Sequence, residues 1–205
     1  MKIFVIGAHG QVGQLLVNTL SENDFQVIGG YRDPATQAPQ ATTEFTPVAF
    51  DLNAPIATLA AKMQGADAVI FAAGSQGKAL LAVDLDGAVK AMLAAEAAGI
   101  KRFIQLSAFH ADDRVHWPDS LHDYYIAKYY ADEWLRHRTQ LDYVIVAPTT
   151  LTNGEATGTL TTEPTATSTI TRQDVASVLA RAVTSDLHRE TLNIANGAVP
   201  IAQCL

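Results

Sequence analysis

The feature that most constrains this chain is the way its first apolar run ends. Residues 3–6, Ile-Phe-Val-Ile, break at once into Gly7-x-x-Gly10-x-x-Gly13, and the helical pattern Gln14–Leu20 follows without a linker. Three glycines at this spacing mean little alone. Placed between a fully apolar strand and a helix, they form the first βα unit of a dinucleotide-binding sheet. Gly7 permits the tight turn, Gly10 lets the backbone approach a pyrophosphate, and Gly13 lets the helix close onto the strand. The amides of Gly10, Gln11 and Val12 are expected to face the phosphates, where a helix N-terminus favours negative charge.

The rest of the chain fits this beginning. Its 205 residues suit one α/β domain, and 48% hydrophobic against 17% charged residues excludes disorder and a coiled coil. A net charge of −7 argues against a general nucleic-acid or anionic-membrane binder. The single cysteine, Cys204, permits neither a disulfide framework nor a cysteine cluster for zinc. No signal-peptide pattern precedes the first strand, and no apolar stretch approaches the ~20 residues that cross a bilayer. A cytoplasmic protein is expected.

Apolar strands and helical patterns alternate along the sequence. Strands are predicted at Lys2–Ile6, Gln26–Gly30, Thr46–Phe50, Ala68–Ala72, Arg102–Ser107, Asp142–Ala147 and Thr191–Ile194. Helices are predicted at Gly10–Leu20, Ile56–Met63, Asp86–Ala98, Tyr124–Arg138 and Arg172–Val183, with Gly99 as a C-terminal cap. The expected fold is a doubly wound, mostly parallel α/β sheet with helices on both faces, a single Rossmann domain over residues 1–205. Two stretches fall outside the pattern. Residues 109–123 carry His110, His116, Trp117 and His122 and lie between a strand end and a helix, which suits a substrate wall. Their histidines match no metal-ligand spacing, so no metal is expected. Residues 157–171, rich in threonine, are compatible with an edge strand, a flap or a linker, and residues 149–171 are counted with the substrate side.

Tyr124 and Lys128 stand four apart at the start of a helical segment and share one face. That spacing suits a phenol that supplies a proton beside an ammonium that lowers its pKa and anchors a ribose. Ser107, at a strand end, is positioned as a second donor to a carbonyl oxygen.

Gly7-Ala-His-Gly-Gln-Val-Gly13, Arg32-Asp33, Asp51-Leu52, Phe71-Ala-Ala-Gly74, Lys101-Arg-Phe-Ile-Gln-Leu-Ser107, Tyr124-x-x-x-Lys128 and Ala147-Pro-Thr-Thr-Leu151 follow one another in that order. This series resembles an atypical short-chain dehydrogenase/reductase, within the compact NAD(P)H-binding subgroup that is similar to biliverdin reductase B and the NmrA-like proteins. The resemblance spans nearly the whole chain, as far as Ile170-Thr-Arg-Gln-Asp-Val-Ala176. It implies cofactor contacts at Gly7, His9, Gly10, Gln11, Val12 and Gly13. Asp51 and Leu52 would border the adenine, Ala72, Ala73 and Gly74 would floor its ribose, and Lys128 would anchor a ribose. Pro148, Thr149, Thr150 and Leu151 would meet the nicotinamide. The chain departs from the pattern at Asp84, where relatives often carry Asn, and at Ala147-Pro148-Thr149, where many read Arg-Pro-Gly.

The function implied is an NAD(P)H-dependent reductase of a small carbonyl, quinone or flavin-like acceptor. An NADP(H)-sensing regulator with a protein partner is the alternative, and an epimerase or dehydratase a weaker one, since only residues 149–205 remain for a substrate lobe. NADP(H) is expected over NAD(H). The second strand ends Gly29-Gly30-Tyr31-Arg32 with no acid at its tip, and Arg32 can meet a 2′-phosphate. Asp33 could instead reach a ribose hydroxyl or pair with Arg32.

Overall fold

The computed structural model describes residues 1–205. In chain order the elements are β1 (Lys2–Ile6), α1 (Gln11–Glu22), β2 (Gln26–Tyr31), α2 (Pro34–Gln37), β3 (Phe45–Ala49), α3 (Ile56–Met63), β4 (Ala68–Phe71), a π-helical turn (Leu80–Leu85) and α4 (Asp86–Ala97). There follow β5 (Arg102–Leu106), α5 (His122–Arg138), β6 (Asp142–Pro148), β7 (Thr150–Thr152), β8 (Thr159–Thr161), β9 (Thr169–Thr171), α6 (Arg172–Ala182), β10 (Glu190–Pro200) and α7 (Ile201–Cys204). The main sheet has the order β3-β2-β1-β4-β5-β6-β10-β8, and its neighbours are parallel except for β10 and β8. The order reverses between β1 and β4, which opens a crevice at the carboxyl ends of these strands. No helix is long and apolar enough to cross a membrane.

Two apolar cores cover the two faces of the sheet. Leu16 and Leu20 of α1 and Val175, Val178 and Leu179 of α6 bury Ile3 and Val5 of β1 on one side. On the other side Leu59 and Met63 of α3, the alanines of α4 and Leu135 of α5 cover Phe4, Phe71 and Phe103. The alanines let α4 lie close to the sheet, and Gly99, at φ +78°, ends it in the left-handed conformation that a C-terminal cap requires. Pro47 is tolerated in β3 because that strand is an edge, where a missing N–H breaks no ladder.

Three departures from the sequence expectations have identifiable causes. The π-helical turn before α4 has no periodicity of its own. It is held by Asp84, whose buried carboxylate accepts from the Ser75 amide at 3.0 Å. The last strand is longer than expected because a bulge between Ala195 and Val199 lets β10 leave its parallel pairing with β6 and pair antiparallel with β8. The threonine-rich stretch is an edge strand, β8, followed by β9, which pairs with β7. Asp174 anchors it: the carboxylate accepts from the amides of Thr157 and Gly158, from Asn196 and from the Thr171 hydroxyl, each at 2.6–2.9 Å. Burial pushes the Asp174 carboxyl up, but these bonds outweigh it and hold its pKa below the ordinary range.

Candidate active site

The glycine turn is tight at two of its three glycines. Gly7 sits at φ +86°, and a Cβ there would lie 2.6 Å from the Ala73 backbone. A Cβ on Gly13 would lie 2.1 Å from the Gly7 carbonyl oxygen. Gly10 is less confined, with the Gly7 oxygen at 3.2 Å and the Ala72 oxygen at 4.0 Å from its notional Cβ. The Gly10 amide, expected to face the phosphates, instead donates to Gly7 O at 2.9 Å and closes the turn. The donors left without an intrahelical partner are those of Gln11, Val12 and Gly13, and no side chain caps α1. An anion is what such a helix start lacks.

In front of these amides lies a cavity of about 460 Å³. Of the residues that the motifs singled out, Gly7, His9, Gly10, Gln11, Arg32, Asp51, Leu52, Ala72, Ala73 and Gly74 line it, whereas Val12 and Gly13 do not. Gln37, Asn53, Ser75, Lys78 and Val83 line it too, and sequence reasoning missed them. The signal for Ser75 and Lys78 was present in the glycine-containing loop that follows β4 on the crevice side. Arg32 is exposed and makes no ion pair. Asp33 takes neither of the roles left open for it. Its carboxylate caps α2 by accepting from Ala35 N at 3.2 Å and from the Thr36 hydroxyl at 2.8 Å. Asp51 likewise accepts from the Asn53 amide and side chain at 2.9 Å, which shapes the turn after β3. Free amides, a floor on which side chains would collide, and an unpaired guanidinium fit a dinucleotide.

Ser107, Tyr124, Lys128 and residues 148–151 do not line this cavity; they gather at the neighbouring strand ends, β5 and β6. Tyr124 and Lys128 lie together, with the ammonium 5.7 Å from the centre of the phenol ring. Lys128 is buried and donates to Leu106 O, the last carbonyl of β5, at 2.9 Å. Burial lowers the Lys128 pKa, against the pull of Asp84 and Asp132. Tyr124 responds in the sense opposite to the one its spacing suggested. Burial, and after it the charges of Asp84 and Asp132, push its pKa well above the ordinary value, so the side chain is a firmly held phenol. Its hydroxyl makes no hydrogen bond within the chain, while Tyr125 donates to Phe109 O and Tyr130 accepts from Arg114.

Ser107 is not turned toward Tyr124 as a free donor. Its hydroxyl donates to Asp132, a short bond between two buried groups. Asp132 was not foreseen, although it stands four residues beyond Lys128 on the same helix face. Burial raises its pKa to about 6, against the pull of the Ser107 bond and of Lys128 and Arg136. At the end of β6, Thr149 is buried with an unpartnered hydroxyl, and its amide donates to Ile194 O at 3.1 Å. Thr150 is exposed and opens β7, and Leu151 is partly buried. An orphaned hydroxyl beside the ends of β5 and β6 is a group for a ligand to satisfy.

The residues matched by the NAD(P)H-binding family model are 7–186, most of the chain. The chain belongs to the NAD(P)H-binding family. Within it this protein has the fold of the atypical short-chain dehydrogenase/reductases. It is 39% identical, over all of its length and 99% of the relative's, to a Bacillus subtilis protein named as an uncharacterized sugar epimerase, YhfK. The crystal structure of the oxidoreductase YlbE from Lactococcus lactis shares 40% identity at a TM-score of 0.94, covering 99% of this chain and 94% of that one. A short-chain dehydrogenase/reductase of Veillonella parvula shares the fold, with a TM-score of 0.77 at 18% identity over 97% and 96% of the two chains. An NAD(P)H-dependent oxidoreductase type of protein is what these relationships and the geometry support together.

Proposed function

We propose that this protein reduces a small carbonyl, quinone or flavin-like acceptor with NADPH, and that Tyr124 supplies the proton when the acceptor is a carbonyl. The observation that carries this reading is the Tyr124 phenol, held protonated and without a partner four residues before a buried ammonium. The cofactor would be held by the amides of Gln11 and Val12, with Arg32 against a 2′-phosphate, and it supplies hydride. The chain's own work is placement and protonation. Thr149 offers its unpaired hydroxyl to whatever binds at the end of β6. Lys128 stands beside the phenol, and its bond to Leu106 O fixes α5 on β5. Residues 109–123 and 149–171 would form the acceptor side, and we place the protein in the cytoplasm.

The sugar-epimerase name borne by the B. subtilis relative favours a second reading. An epimerase that begins by oxidising a hydroxyl needs a base to take its proton, and a tyrosine serves as base only when its pKa falls. In this chain burial raises the pKa of Tyr124, which keeps the phenol from serving as that base. It also weakens the phenol as an acid, so its proton would pass only to a strongly basic acceptor such as the alkoxide that hydride addition creates. A regulator that senses NADP(H) and hands the signal to a partner protein would need no proton donor at all.

One experiment separates these readings: NADPH oxidation against a panel of aldehydes, quinones and flavins, with cofactor affinity measured in parallel. Turnover with at least one class supports the reductase. Tight binding with no turnover on any acceptor favours the sensor, and exchange at a sugar carbon without net cofactor oxidation favours the epimerase.

A further inference from the structure

The loop between β5 and α5 brings together three side chains that the sequence kept apart. His110, Asp113 and His116 place one ligand atom each so that all three lie within 4.8 Å of one another. We infer that they form a binding site for a divalent transition-metal ion, with Zn²⁺ as its natural probe. The donor set selects the ion class: two imidazoles and one carboxylate suit Zn²⁺, Ni²⁺ or Cu²⁺, whereas Mg²⁺ and Ca²⁺ favour oxygen donors.

The loop is built to hold these groups. Asp113 caps the helical turn Arg114–His116 with Oδ1, which accepts from Val115 N at 3.2 Å and leaves Oδ2 for other partners. The His116 Nδ1 lies 2.6 Å from that oxygen and the His110 Nδ1 3.8 Å from it. Ligand atoms around a tetrahedral zinc stand about 3.3 Å apart, between these two values. His110 holds a left-handed backbone conformation, φ +62°, that a residue with a side chain adopts only when its surroundings impose it. Here they do: the His110 carbonyl accepts from the Trp117 indole at 2.9 Å and from the Asp113 amide at 3.0 Å. The loop's own cation, Arg114, is engaged on the faces of Trp117 and Tyr129, at 4.9 and 4.3 Å.

One adjustment is required. The two imidazoles are stacked, 16° from parallel, so their in-plane lone pairs do not yet converge. The His116 side chain is 54% exposed and free to swing, while His110 is the more enclosed at 25%. An ion would therefore enter from solvent, replace the proton shared by Asp113 and His116, and turn the His116 ring. Three protein ligands leave a fourth position for water or an exchangeable ligand. The segment so clamped runs between Ser107 and Tyr124, so occupancy would stiffen the wall that joins them.

The test is calorimetric titration of the whole chain with ZnCl₂, free of chelators, with thermal melting in parallel. One equivalent should bind with micromolar Kd and raise the Tm. His110→Ala, Asp113→Asn and His116→Ala should each weaken binding at least tenfold. His137→Ala and His188→Ala remove two histidines that face carboxylates away from this loop and should change nothing. The absence of a one-to-one isotherm would overturn the inference. So would undiminished affinity in His116→Ala, or a loss in His137→Ala or His188→Ala instead.

Discussion

The glycine turn between β1 and α1 and the polar cluster behind Ser107 stand at the carboxyl ends of β1 and β5, with only β4 between them, yet they are assembled by opposite means. The turn uses backbone from Gly7 to Gly13 and meets one distant segment, the Ala72–Ala73 backbone. The cluster draws Ser107, Tyr124, Lys128 and Asp132 from two elements and feels Asp84 from a third, and burial shifts the titration of Tyr124, Lys128 and Asp132. A binding site made of amides is insensitive to which side chains surround it. A proton-handling site made of buried charges is tuned by each of them.

The sharpest way to break this comparison lies in the turn itself. Gly13→Val should prevent folding, since its first side-chain carbon would meet the Gly7 oxygen at 2.1 Å. Gly10→Val should leave a folded protein with no measurable NADPH affinity, because the side chain enters the space before the free amides. Circular dichroism and a fluorescence titration check the pair. A folded, fully binding Gly10→Val protein would remove the turn from cofactor recognition.

At the other end, Tyr124→Phe should lower kcat on a carbonyl acceptor ~10²–10⁴-fold while cofactor affinity stays unchanged. The ring and its packing remain, so only the proton is lost. With a quinone the effect should shrink, as solvent can protonate the product. Equal rates for Tyr124→Phe and wild type on an aldehyde would leave hydride placement as the protein's whole contribution.

Asp132 gives a pH signature that the turn cannot. Its pKa in the folded chain, about 6, lies above that of an unfolded aspartate, ~3.9, so the folded state binds the extra proton between these values. Stability associated with this group is therefore full below pH ~4 and is lost as pH rises toward 6. Asp132→Asn should match wild type near pH 4 and exceed it by up to ~3 kcal/mol above pH 6.5, read by urea denaturation at each pH. A stability difference that does not change with pH would show that the carboxylate carries no such strain.

The smallest effect belongs to Arg32. An exposed guanidinium on a 2′-phosphate should be worth ~1.4 kcal/mol, so Arg32→Ala should weaken NADPH about tenfold and leave NADH unchanged. Equal losses for both cofactors would make Arg32 a general contact rather than a discriminator.

The sequence by itself determined the strand order's starting point, the glycine turn and ten of the 21 residues of the cavity wall. These rest on local rules: an apolar run buried on both faces, a backbone that excludes Cβ atoms, and ligand-facing loops after parallel strands. Tyr124 and Lys128 were legible for the same reason, being one helical turn apart. Only the tertiary structure decided what those side chains are chemically. Asp84 reaches the site from a π-helical turn with no periodic signal, and Asp132 takes the Ser107 hydroxyl that spacing alone had assigned to a substrate. The same holds for His110, Asp113 and His116, whose convergence depends on a left-handed residue and an indole hydrogen bond. Backbone conformation follows from neighbours along the chain. Protonation and ligand geometry follow from desolvation and from charges brought near by folding, and neither is written in residue spacing.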